Sequence, residues 1–224
     1  MKQRIHAVLD WAAAKDYRHG HDSGIWDQIT RSLPKVRDNS SHFASCPYRE
    51  AHATIETLKA SGCDDTVKLA LEFIILTAAR TGEVRLAQWS EIDFIDTRRI
   101  IPGERMKSGK EHRVPLSQRA VEILRHQQDN GSDLIFPNKK GKPYSDMTFT
   151  AALRRLKMEF TVHGFRSTFR DWAAEQTSHP HVVCEAALAH TTKDKTEAAY
   201  FRSDLFEKRR HLMEDWATFC ATPA

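Results

Sequence analysis

Hydrophobic periodicity changes along this chain, and the change restricts the fold more than any other feature of the sequence. Over residues 90–116 apolar residues occur in short runs separated by Pro102-Gly103 and Ser108-Gly109, which predicts a small antiparallel sheet. On both sides of this stretch apolar residues recur at intervals of three and four, which predicts helices with one buried face. The expected fold class is therefore α+β, mainly α-helical with one small antiparallel β-sheet.

The helical pattern covers most of the chain outside the sheet. The predicted helices span residues 3–15, 48–60, 65–80, 118–128, 146–158, 163–175, 180–189, 195–201 and 205–220. Asp64 or Asp65, Ser117 and Ser145 precede three of these helices and are expected to cap their N-termini. Thr81-Gly82 is expected to end the helix over 65–80.

Residues 16–47 interrupt the helical pattern near the N-terminus. They lose apolar periodicity and are rich in Gly, Pro, Asn and Ser, with at most a short turn of helix over 25–29. We therefore place a domain boundary near Pro47. Residues 1–47 form one helix and a linker, and residues 48–224 form a helical domain with a helical C-terminal tail.

Cysteine and metal chemistry receive little support from the sequence. A chain of 224 residues buries a core without disulfides or a structural metal. Its four cysteines form no CxxC pair, which is typical of reduced thiols. A metal site built from His179, His181, Cys184 and His190 is an alternative, although its spacing matches no common ligand set. We expect no metal and no cofactor.

Membrane insertion and secretion are also disfavoured. The longest apolar run, over residues 69–79, is interrupted at Glu72 and is shorter than the roughly 18 residues that a membrane span needs. The N-terminus carries Lys2, Arg4 and Asp10 and lacks the apolar stretch of a signal peptide. The expected location is the cytoplasm, without a membrane partner.

Positive charge is in modest excess, with 34 Lys and Arg against 30 Asp and Glu and a net charge of +4. This excess permits a polyanionic partner without requiring one. Two stretches concentrate cationic side chains, either as a DNA-binding surface or as solvated charge runs. The first contains Arg98, Arg99, Arg105, Lys107, Lys110 and Arg113, and the second contains Lys139, Lys140, Lys142, Arg154, Arg155 and Lys157.

The helix predicted to begin at His163 separates its cationic and aromatic side chains. At 100° per residue, His163, Arg166 and Arg170 fall on one stripe, and Phe169 and Trp172 fall on the opposite one. Unpaired N–H groups in the first turn of a helix favour an anion such as phosphate. The alternative is a surface stripe of arginines in salt bridges.

Other residues with reactive or cationic side chains are ambiguous when each is considered alone. Arg80 ends an apolar helix, where the charge suits the helix dipole, and Glu83 follows it closely enough to pin its guanidinium. Lys107 lies in a predicted hairpin turn, where most lysines are solvated. His190 ends one helix, and Tyr200 lies on the next, where most tyrosines pack.

Taken in order, Arg80, Lys107, His163-Gly-Phe-Arg166, His190 and Tyr200 resemble the site of the tyrosine recombinase (phage integrase) family. The resemblance extends from about residue 48 to the C-terminus and is greatest to prophage-type integrases. The matching blocks are ARTGE at 79–83, MK at 106–107, HRVPLS at 112–117, LIFP at 134–137, HGFRSTFRDWAAE at 163–175 and LAHTTKDKTEAAYFRSDLFEKRRHLMEDW at 188–216. Ala189 stands where many members carry Gly, and Lys110 competes with Lys107 as the hairpin lysine.

The resemblance implies a fold, an activity and a role for each site residue. It implies the catalytic-domain fold of a site-specific DNA recombinase that cleaves and rejoins DNA through a 3′-phosphotyrosyl intermediate, for integration or excision of a mobile element. In the implied roles, Tyr200 is the nucleophile, Arg80 and Arg166 clamp the phosphate, His163 takes the tyrosine proton, Lys107 protonates the leaving oxygen, His190 donates to the phosphate, and Glu83 orients Arg80. The implied cations leave no step that needs a metal.

The resemblance also implies partners and a longer parent protein. Double-stranded DNA is the implied substrate, with a homotetramer on DNA and a monomer allowed for the isolated chain. Members carry a core-binding domain before the catalytic one, so we expect this chain to be a C-terminal fragment that begins at the last helix of that domain. The helix over 205–220 packs on its own domain or docks on a neighbouring protomer.

Two other functions stay open at this point. A type IB topoisomerase-like strand transferase uses similar chemistry and relaxes supercoils without strand exchange. A noncatalytic DNA-binding regulator retains DNA and forms no covalent adduct with it. Trapping on a nicked DNA substrate distinguishes the regulator from the other two.

Overall fold

The computed structural model of the chain describes residues 2–18, 23–32, 44–128, 130–190 and 203–223. Residue contacts divide the chain into two units, Met1–Ser41 and His42–Ala224. The division falls shortly before Pro47, and the assignment of 1–47 and 48–224 to particular domains stays a prediction. Within the described ranges, no helix combines the length and the apolar character that crossing a membrane demands.

The first unit consists of two helices in its described part. Helix α1 spans Lys2–Ala14, as the periodicity predicts, and α2 spans Ser23–Ser32. The sequence predicted only a short turn over 25–29, so α2 is longer than expected. The His6 and Trp26 rings stack with centroids 5.0 Å apart, which is a contact between the two helices that periodicity within either one does not reveal.

The second unit combines helices with one three-stranded sheet. Its helices are α3 (Ala51–Ala60), α4 (Asp65–Thr77), α5 (Thr81–Arg85), α6 (Gln118–Gln127), α7 (Thr148–Arg155), α8 (Phe165–Gln176), α9 (His181–Ala187) and α10 (Phe206–Ala221). Strands β1 (Ile92–Asp93), β2 (Arg98–Ile101) and β3 (His112–Pro115) pair antiparallel in the order β1-β2-β3. The predicted fold class is confirmed. The helix predicted over 195–201 lies outside the described residues.

Helix α4 forms the centre of the core. Its Phe73 and Ile75 are fully buried, and Trp216 of α10 is buried beside it, with the indole Nε1 donating to the Ile75 carbonyl at 2.8 Å. Trp216 also contacts the Phe169 and Trp172 rings of α8. Burial of each large apolar side chain contributes about 1.5–3 kcal/mol, so this cluster holds α10 on its own unit.

Two of the predicted N-caps are confirmed. The Asp64 carboxylate accepts from the Thr66 backbone N–H at 3.1 Å, which selects Asp64 over Asp65 as the cap of α4. The Ser117 hydroxyl accepts from the Ala120 backbone N–H at 3.4 Å at the start of α6. Each cap satisfies an N–H group that has no partner inside its helix.

Two predicted helix boundaries are wrong. Helix α4 ends at Thr77 because Ala78 adopts a left-handed conformation (φ 48°), and Thr81-Gly82 begins α5 rather than ending α4. Helix α7 begins at Thr148 instead of after Ser145, whose hydroxyl lies 2.9 Å from the Thr148 hydroxyl and does not cap the backbone.

Candidate active site

Arg80 begins α5, and Glu83 holds it from two directions. The Glu83 carboxylate accepts from the Arg80 backbone N–H at 2.9 Å and from the Arg80 Nη1 at 2.8 Å. Both hydrogen bonds run from Arg80 to Glu83, so one carboxylate fixes the start of the helix and the direction of the guanidinium. Glu83 is buried, whereas the Arg80 side chain keeps 26% of its surface exposed. The free face of Arg80 is therefore available to an anion.

The backbone carbonyl of Glu83 receives two further guanidiniums. Arg99 Nη2 donates to it at 2.5 Å, and Arg105 Nη2 donates to it at 3.2 Å. Both arginines also bind Glu91, through Arg99 Nε at 2.8 Å and through Arg105 Nη1. Burial lowers the pKa of Arg99 to about 10. These contacts join β2 and the β2–β3 hairpin to the helix that carries Arg80.

Arg166 lies in the first turn of α8 and is almost fully buried. Its Nη1 donates to the Ala78 carbonyl at 2.6 Å, and its Nη2 donates to the Leu188 carbonyl at 2.5 Å. Burial, and after it the positive charge of Arg80, lowers the pKa of Arg166 to about 10. The contact with the Ala78 carbonyl places the Arg166 guanidinium two residues along the chain from Arg80, and their roles in one site stay a prediction.

The N-terminus of α8 does not present the open N–H groups that the sequence analysis expected. The helix begins at Phe165, so His163 lies in the turn before it. The Arg166 backbone N–H donates to the His163 carbonyl at 3.1 Å, and the Phe165 N–H donates to the Val162 carbonyl at 3.4 Å. An anion at this end is therefore bound by side chains rather than by these two backbone groups.

Gly164 allows the turn before α8 to approach the start of the second unit. A Cβ atom at this position would lie 2.2 Å from the Ala44 carbonyl oxygen, far inside van der Waals contact. The Thr168 hydroxyl, one turn along the helix, donates to the Cys46 carbonyl at 2.6 Å. Residues 44–46 therefore form a surface against which the helix that carries Arg166 is seated.

His190 links Arg166 to an acidic partner. Its Nε2 lies 3.2 Å from Arg166 Nη2, and its Nδ1 lies 2.8 Å from Glu185 Oε2. Because a guanidinium only donates, Nε2 accepts and the ring proton is assigned to Nδ1, which donates to Glu185. The other oxygen of Glu185 accepts from Arg170 Nε at 2.7 Å. Arg170 is thus paired, as the salt-bridge alternative proposed.

Glu185 is a residue that sequence reasoning missed. A carboxylate five positions before a histidine has no recognisable spacing on a helix. The approach occurs because α9 ends at Ala187 and the His190 backbone N–H turns back to the Glu185 carbonyl at 3.0 Å. Ala189 adopts a left-handed conformation in this turn (φ 48°), which explains why the family resemblance has Gly at this position.

The electrostatics of the histidines show that these groups form one cluster. The pKa of His163 is lowered, first by partial removal from water and then by the positive charges of Arg166, Arg80 and His190. The pKa of His112 on β3 is lowered to about 4 by burial, with Arg80 among the nearby positive charges. Both shifts favour neutral imidazoles at neutral pH.

Lys107 and Lys110 both lie exposed in the hairpin between β2 and β3. Met106, directly before Lys107, is buried with Ile101 and Val114, and Ala189 packs against this small cluster. Since Ala189 directly precedes His190, the hairpin is anchored beside the histidine through Met106. This anchoring favours Lys107 over Lys110 as the lysine that serves the site.

Tyr200 lies outside the described residues. The described chain on its C-terminal side begins with Ser203, and Asp204 accepts from Arg113 Nε at 2.8 Å and Arg113 Nη2 at 2.6 Å. Arg209 Nη2 donates to the same carboxylate at 2.8 Å. The chain four positions after Tyr200 is therefore fixed to β3 and to the first turns of α10.

The two predicted DNA-binding stretches differ in exposure. The exposed members are Lys107, Lys110, Lys139, Lys140, Lys142, Arg154, Arg155 and Lys157. The first stretch departs from expectation because Arg98 pairs with Asp93 and Asp96, Arg99 and Arg105 bind Glu91, and Arg113 binds Asp204. Arg99 is only 1% exposed, so its guanidinium is enclosed by the protein and is not open to a DNA phosphate.

The residues of the alternative metal site are engaged elsewhere. His179 Nε2 lies 2.7 Å from Asp215 Oδ2, and burial raises the pKa of the Cys184 thiol, which opposes the thiolate form that binds metals. Across the part of the chain that the structure describes, no group of three or more His, Cys, Asp and Glu residues is arranged to hold a metal ion.

Comparison with known proteins identifies relatives of the whole second unit. The sequence profile of the Phage integrase family matches residues 49–205. The chain is 36% identical to prophage integrase IntA of Escherichia coli K12 over 169 residues, which cover 73% of this chain and 41% of that protein. It is 28% identical to the integrase of Enterobacteria phage P4 over 240 residues, covering 98% of this chain and 54% of that protein. The chain thus spans about half the length of these curated relatives.

Solved structures share the fold at lower sequence identity. A lambda integrase (75–356) dimer bound to a COC′ core site superposes with a TM-score of 0.61 at 18% identity, covering 91% of this chain and 71% of that one. The integrase of mycobacterium phage Brujita superposes with a TM-score of 0.61 at 17% identity, covering 99% of this chain and 70% of that one. The architecture described above is therefore a fold that these integrases share.

Proposed function

Because the chain belongs to the phage integrase family, we propose that it is the catalytic part of a site-specific DNA recombinase, which integrates or excises a mobile element. The observation that carries this proposal is the convergence of residues from distant parts of the sequence on Arg166, which follows His163 by three positions and contacts both His190 Nε2 and the carbonyl of Ala78, two residues before Arg80. In this proposal residues 48–224 are the catalytic domain, and residues 1–47 are the last helix of a core-binding domain with its linker.

The proposed reaction exchanges one phosphate ester for another. The Tyr200 oxygen forms a bond to the phosphorus, the bond from phosphorus to the 5′ oxygen breaks, and the DNA 3′ phosphate stays on the tyrosine. The phenol proton goes to His163, and the 5′ oxygen takes a proton from Lys107. Ester energy is retained in the phosphotyrosyl bond, so a 5′ hydroxyl from another strand reverses the step without an energy cofactor.

The two arginines are proposed to stabilise the charge that develops on the non-bridging oxygens. Arg166 suits this role because two carbonyls fix its guanidinium before DNA arrives, which removes the cost of ordering it later. Glu83 does the same for Arg80. Removal of either guanidinium is expected to cost about 3 kcal/mol of transition-state stabilisation, the scale of one preorganised donor.

The histidines are proposed to handle protons. His163 has a lowered pKa, so it is a neutral acceptor at neutral pH, and this role contributes roughly 10²- to 10⁴-fold in rate. His190 accepts from Arg166 through Nε2 in this structure, so its proposed donation to the phosphate requires a proton on Nε2 and the loss of this contact with Arg166.

The proposed substrate is double-stranded DNA, which is bound through the exposed basic residues of the second stretch and through Lys107 and Lys110. Each phosphate that they neutralise adds to affinity and to its salt dependence. We also propose that the parent protein acts in the cytoplasm as a homotetramer on DNA. The cationic field comes from Arg, His and Lys side chains, so the proposed reaction includes no metal or cofactor.

Covalent trapping tests the proposal. Duplexes with a nick near the scissile phosphate are selected from a random-sequence library by capture on the chain under denaturing conditions, and the selected duplex is then used with purified variants. The wild type is expected to form a denaturant-resistant adduct, and Tyr200→Phe is expected to form none. Retention of DNA without any adduct by the wild type contradicts recombinase chemistry, and an undiminished adduct in Tyr200→Phe contradicts the nucleophile.

A further inference from the structure

Two arginines converge on one buried carboxylate next to the helix that carries Arg80. The Glu91 side chain is 4% exposed, and it binds Arg99 Nε at 2.8 Å and Arg105 Nη1. Both guanidiniums also donate to the carbonyl of Glu83, whose carboxylate holds Arg80. We name these three residues, Glu91, Arg99 and Arg105, the Glu91 cluster. The cluster connects the hairpin to Arg80 through Glu83 alone.

Arg105 lies in the hairpin two positions before Lys107. Between them, Met106 is buried in its apolar cluster beneath the loop. The loop is also closed on itself, because the Gly109 backbone N–H donates to the Met106 carbonyl at 3.0 Å and Gly103 lies against the Gly109 carbonyl. The backbone that carries Lys107 is therefore anchored by Arg105 on the Arg80 side and by Met106 on the core side.

The members of the Glu91 cluster differ in burial. Arg99 is 1% exposed and is enclosed by the fold, whereas the Arg105 side chain is 19% exposed at the edge of the site. A buried carboxylate needs one guanidinium to offset its desolvation. Arg99 meets that need at Glu91 Oε2, whereas Arg105 contacts the other oxygen, Oε1, so loss of Arg105 leaves the carboxylate ion-paired but releases the hairpin from it.

From this arrangement we propose that Arg105 is a positioning residue, which fixes the hairpin lysine Lys107 relative to Arg80. The inference rests on the proposed function, in which Lys107 protonates the leaving 5′ oxygen. Proton transfer requires the lysine nitrogen within about 3 Å of that oxygen, and Lys107 carries a long flexible side chain. A backbone fixed to the helix of Arg80 limits the positions that the nitrogen samples. Arg105 therefore acts through Lys107 and contacts no DNA phosphate.

Replacement of the leaving oxygen by sulfur distinguishes positioning of Lys107 from phosphate clamping, DNA binding and folding. With oxygen at the 5′ bridging position, the departing alkoxide needs a proton from Lys107. With sulfur at that position, the departing thiolate is stable without a proton, because thiols ionise near pH 8.5. A defect in proton delivery therefore slows cleavage of the oxygen substrate and is relieved on the sulfur substrate. A defect in phosphate clamping, DNA binding or folding affects both substrates.

The experiment measures single-turnover rates of covalent adduct formation on matched oxygen and sulfur duplexes, with the full chain. Arg105→Gln is expected to cleave the oxygen substrate roughly 10- to 100-fold more slowly than the wild type, the range typical of residues that orient a reacting group, and to match the wild type on sulfur. Arg105→Lys keeps a positive charge beside Glu91 and is expected to recover part of the oxygen rate.

Arg119→Gln is the matched control. Arg119 pairs with Glu72, a carboxylate as buried as Glu91, but it lies on α6 and contacts neither Glu83 nor the hairpin. Lys59 Nζ also lies 3.7 Å from Glu72, so loss of Arg119, like loss of Arg105, removes one of two cations from a buried carboxylate. Arg119→Gln is therefore expected to show the same ratio of oxygen to sulfur rates as the wild type.

Several results would overturn the inference. A role through Lys107 is contradicted if Arg105→Gln is slowed equally on both substrates or cleaves both at the wild-type rate. It is also contradicted if Arg105→Gln binds DNA more weakly and with a shallower salt dependence. If Arg105→Gln does not fold, as judged by its thermal midpoint, the ratio of oxygen to sulfur rates in Arg105→Lys decides the same question. Lys107→Ala is measured alongside, and its failure to recover on sulfur contradicts the proposed function of Lys107 itself.

Discussion

Substitution of Gly164 by alanine tests whether close backbone approach sets the position of α8. The added Cβ would lie 2.2 Å from the Ala44 oxygen, 2.9 Å from the Ser45 Cα and 3.0 Å from the Ala44 carbonyl carbon. All three neighbours are backbone atoms, so no side chain can rotate away. The Ala44 carbonyl also accepts from the Thr161 backbone N–H at 2.9 Å, so its retreat costs a hydrogen bond.

The expected cost follows from these contacts. Overpacking of a well-packed site costs about 1–3 kcal/mol, and a lost backbone hydrogen bond adds about 1 kcal/mol. Relief of this overlap requires a backbone shift of most of an ångström, so the upper end of the overpacking range applies. Gly164→Ala is therefore expected to lower the free energy of unfolding by about 3–4 kcal/mol. In a unit of this size, that corresponds to a fall of about 10 °C in the midpoint of thermal unfolding.

Urea unfolding followed by circular dichroism measures the change, with Gly62→Ala as the matched control. No heavy atom lies within 4 Å of a Cβ at Gly62, and its backbone is not left-handed. The control is therefore expected to equal the wild type or to be more stable by about 0.4–1 kcal/mol. A Gly164→Ala protein within about 0.5 kcal/mol of the wild type would refute the reasoning, since surface substitutions lie in that range.

Two further predictions concern His112 and Ala189. Because the pKa of His112 falls to about 4 on folding, its contribution to stability is complete above about pH 6.5 and is lost as the pH falls towards 4, by up to about 3 kcal/mol. Urea unfolding at pH 7 and pH 4.5 should show a smaller loss in His112→Gln than in the wild type, and equal losses would contradict the burial of a neutral ring. Ala189→Gly relieves a left-handed alanine and is expected to stabilise the chain by up to about 1 kcal/mol. A less stable Ala189→Gly protein would indicate that the methyl contact with the Met106 cluster outweighs the backbone strain.

Local signals in the sequence predicted the elements that depend on local physics. Asp64 and Ser117 cap their helices because a short side-chain oxygen satisfies N–H groups two or three positions later, wherever the rest of the chain lies. The sheet followed from its short apolar runs and its Pro-Gly and Ser-Gly turns. These features place the hairpin of Lys107 and the helices on both sides of it.

The boundaries that failed depend on packing between distant segments. Alanine is the best helix former, so the residue type of Ala78 does not predict the end of a helix. Helix α4 ends there because the Ala78 carbonyl accepts a hydrogen bond from Arg166, which lies far away in the sequence. Ser145 has the residue type of a cap but uses its hydroxyl on Thr148. Neither outcome is encoded in a window of a few residues.

The candidate site divides in the same way. Arg80, Arg166 and His190 were recognised by residue type and by their order in the chain, and the structure brings them together. Glu185 and the ion pairs of Arg105 were missed, because a partner across the fold leaves no local spacing. Charged residues are seldom fully buried, which is why the sequence assigned Arg99 to the surface.

The two backbone carbonyls that accept hydrogen bonds from Arg166 give this arginine a structural role in addition to its proposed catalytic one. They belong to the ends of α4 and α9, so the guanidinium ties together two helices that would otherwise leave those oxygens without a donor. A diverged protein with this fold and without catalytic activity would therefore still be under selection to keep Arg166, because Arg166 stabilises the fold. Arg80 also pairs with a buried carboxylate, that of Glu83, but this contact stays within one helical turn and joins no distant helices. Substitution of Arg80 is therefore expected to disturb the fold less than substitution of Arg166.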